Sequence, residues 1–104
     1  MTKQPDPEQL RAAAVYLRAQ LNVLPRINVE DGDVMRQHHR REQAAELLGQ
    51  HLRAEYGARI SDRWDGARIS MLGVTSTSTS GLPGAMTNWC AAADKRAAKL
   101  EATP

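Results

Sequence analysis

The chain has 104 residues, and we expect residues 1–104 to form a single domain with flexible tails at 1–6 and 102–104. Apolar residues make up 41% of the chain but aromatic residues only 4%, so the predicted core is built mainly from aliphatic side chains. The formal charge of +2 excludes a mimic of DNA, which needs a strongly acidic surface, and allows an anionic partner. Because a core of this size is thin, we also expect a homo-oligomer.

Cysteine content and hydropathy limit which structural sites and which cellular locations we expect for the protein. Cys90 is the single cysteine, which excludes an intramolecular disulfide and a cysteine-based zinc site. The sequence has no apolar run of about 18 residues and no charged-then-apolar leader. We therefore expect no membrane association and a cytoplasmic location.

The first predicted element is a helix over residues 7–24. Asp6 suits the N-cap and Pro7 suits the first helical position. Apolar side chains then recur at spacings of three and four until Pro25 ends the helix, which is typical of one buried face. These stripe residues are Leu10, Ala14, Leu17, Leu21 and Leu24.

A loop at 25–32 precedes a second predicted helix, which begins after Asp31 or Asp33 and ends at Tyr56. Gly57 suits the position just beyond a helix. The C-terminal half of this helix carries an apolar stripe that includes Ala45, Leu48 and Leu52.

Continued backwards, that stripe reaches Arg41, His38 and Val34, so polar groups occupy two of its positions. Two interpretations remain open for them. Either this half of the helix is a solvated basic face, or His38 and Arg41 line a polar cavity or an interface.

Beyond Gly57 the hydropathy alternates with a period of two, and Asp65-Gly66 separates two such runs, which predicts a β-hairpin with a turn at these two residues. In the expected register Trp64 lies opposite Ala67. The same register pairs Asp62 with Ile69 and Ile60 with Met71.

The opposite face of the predicted hairpin is basic, with Arg59, Arg63 and Arg68, and Arg63 is expected directly across from Arg68. Like charges in that position repel each other unless an anion lies between them. These arginines are therefore either solvated or part of an anion site, since guanidinium groups bind phosphate in a bidentate manner. Trp64 and Trp89 are expected in the core, although either indole could stack on a base.

Residues 73–80 are predicted to form a hydroxyl-rich loop, and a third helix is predicted from Leu82 to Glu101. The first N–H groups of a helix are unpaired and carry partial positive charge, so they suit an anion. The loop is either a polar linker in which Ser80 caps the helix, or a phosphate site. The candidate site residues are Ser78, Thr79, Ser80 and Gly81.

Several kinds of chemistry lack support in the sequence. No Lys follows the glycines as a phosphate-binding loop of triphosphate hydrolases requires, and no Gly-x-Ser-x-Gly motif is present. The histidines His38, His39 and His51 do not have the spacing of a metal site on a helix. We therefore expect no catalytic residues, no cofactor and no metal.

The segment 69–93 combines a strand, a Ser/Thr-rich stretch with Gly81, and a helix that carries Asn88-Trp89. In these features it resembles the C-terminal part of small uncharacterised phage and prophage proteins. The resemblance covers about a quarter of the chain and implies an accessory phage product in the host-cell cytoplasm. Such products often bind a defence protein or sequester a nucleotide signal.

Taken together, the patterns predict a small α+β protein of order α-α-β-β-α. The function expected first is non-enzymatic binding of a phosphate-bearing ligand, such as a nucleotide immune signal sequestered by a phage anti-defence protein. The alternatives are a protein-binding inhibitor of a host defence complex, such as an anti-CRISPR, and a weak nucleic-acid-binding protein. The expected ligand-binding residues are Ser78, Thr79, Ser80, Gly81, Arg59, Arg63, Arg68 and Trp64.

Overall fold

A computed structural model describes residues 6–102 of the chain, so the expected tails lie outside the described residues except at Asp6 and Ala102. Three helices and a three-stranded antiparallel sheet follow in the order α-α-β-β-β-α. The predicted α+β class is confirmed, with one strand more than predicted. The elements are α1 Pro7–Asn22, α2 Val34–Tyr56, β1 Arg59–Arg63, β2 Gly66–Met71, β3 Val74–Ser78 and α3 Leu82–Ala102.

Helix α1 begins as predicted, because the side chain of Asp6 accepts a hydrogen bond from the Glu8 amide at 3.0 Å. It ends at Asn22, two residues earlier than predicted. The amides of Val23 and Leu24 donate to carbonyls three residues back, which tightens the last turn. Leu24 is nevertheless buried, as its place on the apolar stripe requires.

Helix α2 also has the predicted ends. The Asp33 carboxylate accepts from the Arg36 amide at 3.1 Å, and Gly57 adopts a left-handed conformation with φ of 65°. A short 3-10 helix, Val29–Asp31, lies within the predicted loop. The buried side chains of α2 begin at Ala45.

The hairpin of β1 and β2 differs from the prediction in its turn. Arg63 pairs with Gly66, so the two turn residues are Trp64 and Asp65, and the predicted Asp65-Gly66 turn is wrong by one residue. Gly66 has a positive φ of 152°, but it lies within the strand and not in the turn. A Cβ there would lie 3.2 Å from the Ser78 carbonyl oxygen, so glycine permits the close approach of β3.

The register is therefore shifted by two positions from the one expected. Asp62 pairs with Ala67 and Ile60 pairs with Ile69, which corrects the predicted partners. Because strand side chains alternate with a period of two, a shift of two positions leaves every side chain on its predicted face.

The predicted loop 73–80 is wrong for most of its length, since Val74–Ser78 forms strand β3 against β2. Leu72 and Gly73 make the connecting turn, with φ of 52° and 77°. Positive φ at both central residues is the geometry of the tight hairpin turn whose twist matches antiparallel strands. Leucine rarely adopts it, which is why the sequence did not indicate a second hairpin.

Helix α3 lies at the centre of the core, packed between α1 and the inner face of the sheet. Trp89 is fully buried, and its Nε1 donates to the carbonyls of Met71 and Val74 at 3.2 and 3.1 Å. Trp64, also expected in the core, is instead 98% exposed because it occupies the hairpin turn. The predicted core residues Leu17, Leu48, Leu52, Met86 and Trp89 are buried, and Leu21 is half-buried.

The molecule is elongated, with principal extents of 54 × 23 × 23 Å. The N-terminal half of α2 contacts the preceding loop, where Arg41 donates to the Pro25 carbonyl and Gln37 donates to the carbonyls of Asn28 and Gly32. Among residues 6–102, no helix combines the length and the apolar character that crossing a membrane requires.

Candidate functional site: an arginine-rich sheet face

The two faces of the sheet differ sharply in burial. Ala67, Ile69 and Met71 of β2 are buried beneath the helices, whereas Arg68 between them is exposed. Side chains that share a register position across the strands share a face, so the exposed face follows from the pairing. We call this surface the arginine face; it consists of Arg59, Ser61, Arg63, Arg68, Ser70, Thr75 and Thr77.

The three arginines are staggered on this face. Arg68 pairs with Ser61 on one side and Thr77 on the other, so the predicted direct opposition of Arg63 and Arg68 is wrong. It lies instead on the diagonal from both Arg59 and Arg63, at about 7–8 Å between backbones. That separation leaves room for an anion between neighbouring guanidinium groups, which flexible Arg side chains can reach from either strand.

Among the residues that the structure describes, no carboxylate neutralises the arginine face. It contains no Asp or Glu, and within residues 6–102 no carboxylate oxygen lies within 4.0 Å of a charged nitrogen of Arg59, Arg63 or Arg68. Arg11 and Arg18 of α1, by contrast, each form an ion pair with a carboxylate of α3. The positive charge of the sheet is therefore available to an external anion.

Trp64 lies at one end of the arginine face, in the turn that follows Arg63. Its indole is almost completely exposed, although tryptophan has the largest side chain of any residue in the protein. A ring in this position can stack on a planar ligand held by the neighbouring guanidinium groups.

The segment 78–81, predicted as a possible phosphate site, does not lie on the arginine face, and two of its hydroxyls bond to each other. The hydroxyls of Ser78 and Ser80 lie 2.7 Å apart, and the Ser80 amide donates to Ser78 Oγ at 3.0 Å. Both hydroxyls cover the first turn of α3, where a Cβ on Gly84 would collide with them. Gly81 occupies the N-cap position proposed for Ser80, since its carbonyl accepts the Ala85 amide at 3.1 Å.

Ser80 and Gly81 line a groove of about 670 Å³ between α2, β1 and the start of α3. His38 and Arg41 line the same groove, which favours the second of the two interpretations left open for these stripe positions. Asp62 of β1 also points into the groove, so Arg63, its neighbour, belongs to the opposite face. The structure thus separates the serine-glycine segment from the three arginines.

The charges of this groove are mixed. Arg53 donates to the Ile60 carbonyl at 3.0 Å and Arg41 donates to the Pro25 carbonyl at 3.1 Å, so both guanidinium groups already hold backbone oxygens. Three carboxylates share the groove with them, and carboxylates repel phosphate. The three are Glu42, Glu46 and Asp62.

The predicted site includes none of the four hydroxyl residues of the arginine face. Ser61 and Ser70 lie in the predicted hairpin, whereas Thr75 and Thr77 were missed because they were assigned to a loop. Both are β-branched and alternate with Ser76 and Ser78, which is the pattern of an exposed strand. Asn88 of α3 donates to the outward Thr77 carbonyl at 2.9 Å and covers part of the β3 edge.

Cys90 is the remaining nucleophile of interest, and its environment suits packing. It is buried between α1 and α3, with its Sγ 3.7 Å from the Ala14 carbonyl, and burial raises the pKa of the thiol. The part of the chain that the structure describes contains no group of three His, Cys, Asp or Glu side chains that could hold a metal ion.

Comparison of the chain with protein-family models, with curated proteins and with solved structures finds no match. The resemblance of residues 69–93 to phage proteins therefore stays a prediction. The features that indicate a function are the geometry and charge of the arginine face and of the groove beside α2.

Proposed function

We propose that this protein binds a phosphate-bearing ligand on the arginine face and does not transform it chemically. The observation that supports this most strongly is that, among residues 6–102, the three exposed arginines have no carboxylate partner. Guanidinium groups bind phosphate oxygens in pairs, and such charge-assisted bonds are stronger than neutral ones.

The neighbouring hydroxyls add hydrogen-bond donors to the same surface. Ser61, Thr75 and Thr77 alternate with or flank the arginines, and all three are exposed. An anion held between Arg59, Arg63 and Arg68 also removes their mutual repulsion. An anion bound at this face therefore also stabilises the sheet.

The biological form of the proposal is a phage anti-defence protein that sequesters a nucleotide immune signal in the host-cell cytoplasm. Its support is the resemblance of residues 69–93 together with the charge of the arginine face. In this form Trp64 stacks on the base while the arginines hold phosphate. The segment from Ser78 to Gly81 then contributes through Thr79, whose side chain is exposed beside the sheet.

The alternative function is a protein-binding inhibitor of a host defence complex, such as an anti-CRISPR. The groove beside α2 favours it, because carboxylates and apolar groups share its walls. Val29, just before α2, and Met35, in its first turn, are also strongly exposed. Such exposed apolar groups would equally support the homo-oligomer expected from the small core.

Isothermal titration with inorganic pyrophosphate tests the proposed function. We expect Arg68→Gln to weaken binding at least severalfold, since Arg68 lies on the diagonal from both other arginines. Arg96→Gln removes the same charge from α3, which packs against the other face of the sheet, and should leave affinity nearly unchanged.

Pyrophosphate binding that responds equally to both substitutions would mean a general charge effect and would contradict the site. Absence of binding to the wild-type protein would contradict the proposed function itself.

A further inference from the structure

The arginine face is an open surface of the sheet and is long enough to contact a polymer. Arg59 and Arg63 are four residues apart on β1, or about 13 Å along the strand, with Arg68 between them on the next strand. In a stacked strand the nucleotides rise by about 3.4 Å each along the helix axis, and successive phosphates of an extended strand lie farther apart, so the arginine row spans a few nucleotides.

The groove beside α2 does not reach these arginines. In the described part of the chain, neither this groove nor a second cavity beside the start of α2 is lined by Arg59, Arg63, Arg68 or Trp64. A small ligand is usually held in a cleft that buries most of its surface. An open surface buries less of each nucleotide than a cleft does. A polymer compensates for this, because several of its nucleotides bind at once.

The side chains of the face suit a single strand without a fixed sequence. Guanidinium and hydroxyl groups bind phosphate and sugar oxygens, which carry no sequence information. Trp64 offers one exposed indole at the end of the arginine row, and every base can stack on such a ring. Duplex DNA keeps its bases stacked inside, so it cannot use the indole in this way.

We infer that the ligand of the arginine face is single-stranded nucleic acid, whose phosphates follow Arg59, Arg68 and Arg63 and whose bases stack on Trp64. This inference rests on the proposed function, because it names the ligand class of the same site. It assigns to Trp64 a direct contact with the ligand and explains its exposure at the hairpin turn.

The two tryptophans make the inference measurable by intrinsic fluorescence. Trp89 is buried and Trp64 is exposed, so a stacking ligand quenches Trp64 selectively. The probes are a fluorescently labelled oligothymidylate of about ten nucleotides, the corresponding mononucleotide, a duplex of similar length and inorganic pyrophosphate, all at one ionic strength. We expect the oligothymidylate to bind at least about tenfold more tightly than the mononucleotide and the duplex.

Substitutions separate stacking from charge, with binding followed by anisotropy of the labelled strand. Trp64→Ala should weaken binding about tenfold, whereas Trp64→Phe should retain most of the affinity. Arg68→Gln should lower the slope of log affinity against log salt by about 0.7, and Arg96→Gln should not.

Each contrary result has a defined meaning. If the oligothymidylate binds no more tightly than the mononucleotide or the duplex, or if Trp64→Ala binds like wild type, the inference is wrong. The proposed function survives that result as long as the binding of pyrophosphate still depends on Arg68. If none of the probes binds, both fail together.

Discussion

Arg11 and Arg68 show how surroundings decide what an arginine does in this protein. Arg11 makes two bonds of 2.9 Å to the carboxylate of Glu101 and joins the start of α1 to the end of α3. This pairing raises the pKa of Arg11 and lowers the pKa of Glu101. Arg68 has no such partner among the described residues, so its guanidinium group is available to bind an external anion.

The Glu101 pair predicts a dependence of stability on acid. Because the folded protein lowers the pKa of Glu101, its contribution is complete above the ordinary value near 4.3 and is lost as pH falls through the lowered value. We expect Glu101→Gln to be less stable than wild type at neutral pH and equally stable at strongly acidic pH. Urea unfolding across this range measures the difference.

Both side chains of the pair are about half exposed, so added salt should reduce the difference at neutral pH. Glu46→Gln is the control, since Glu46 is an exposed carboxylate on α2. A constant difference between Glu101→Gln and wild type at every pH would contradict the assigned ion pair.

At the scale of elements, the antiparallel sheet depends on one glycine between its strands. Gly66 holds φ of 152°, and its missing side chain lets the Ser78 carbonyl approach. That approach places the last residue of β3 beside β2 and so extends the arginine face by Thr75 and Thr77. The hairpin geometry and the candidate site are thus set by the same residue.

Gly66→Ala should therefore destabilise the protein by about 1–3 kcal/mol, through backbone strain and the contact with Ser78. Gly49→Ala is the comparison, because Gly49 is helical and a Cβ there meets only flexible side chains, of which Ile60 is the nearest at 3.2 Å. Thermal or urea unfolding of both variants measures the effect. Equal stability of Gly66→Ala and wild type would show that the strand pairing assigned here is wrong.

Much of the fold was predictable because local signals agree with the tertiary structure. The caps Asp6, Asp33 and Gly57 mark real helix ends, and the parity of the alternating residues assigned each β1 and β2 side chain to its correct face. The turn and β3 were not predictable, since they depend on the close approach at Gly66 and on a positive φ at Leu72.

The candidate site was predictable only in its parts. The arginines and Trp64 were identified from charge and alternation. Their separation from Ser80 and Gly81 depends on which side of the sheet α3 covers, and this is a tertiary relation that spacing does not contain. The exposure of Trp64 follows from a turn one residue earlier than Asp65-Gly66 indicates.

For the whole molecule, the packing of all three helices on one side of the sheet leaves the other side open. Helix α3 buries the inner face with Trp89 and Met86, and α2 borders β1 at the groove. The two candidate surfaces therefore lie on opposite sides of a thin sheet, one basic and one of mixed charge. A ligand-binding experiment that distinguishes these sides tests whether the anion binds on the arginine face.

The most direct such measurement is a titration of the isotope-labelled protein with pyrophosphate, followed residue by residue through backbone amide resonances. We predict shifts concentrated on the arginine face, at Ser61, Arg68 and Thr77, with little change at Arg41 and Gly81 in the groove. Shifts confined to Gly81, Arg41 and their neighbours would place the anion in the groove beside α2 and contradict its proposed binding on the arginine face.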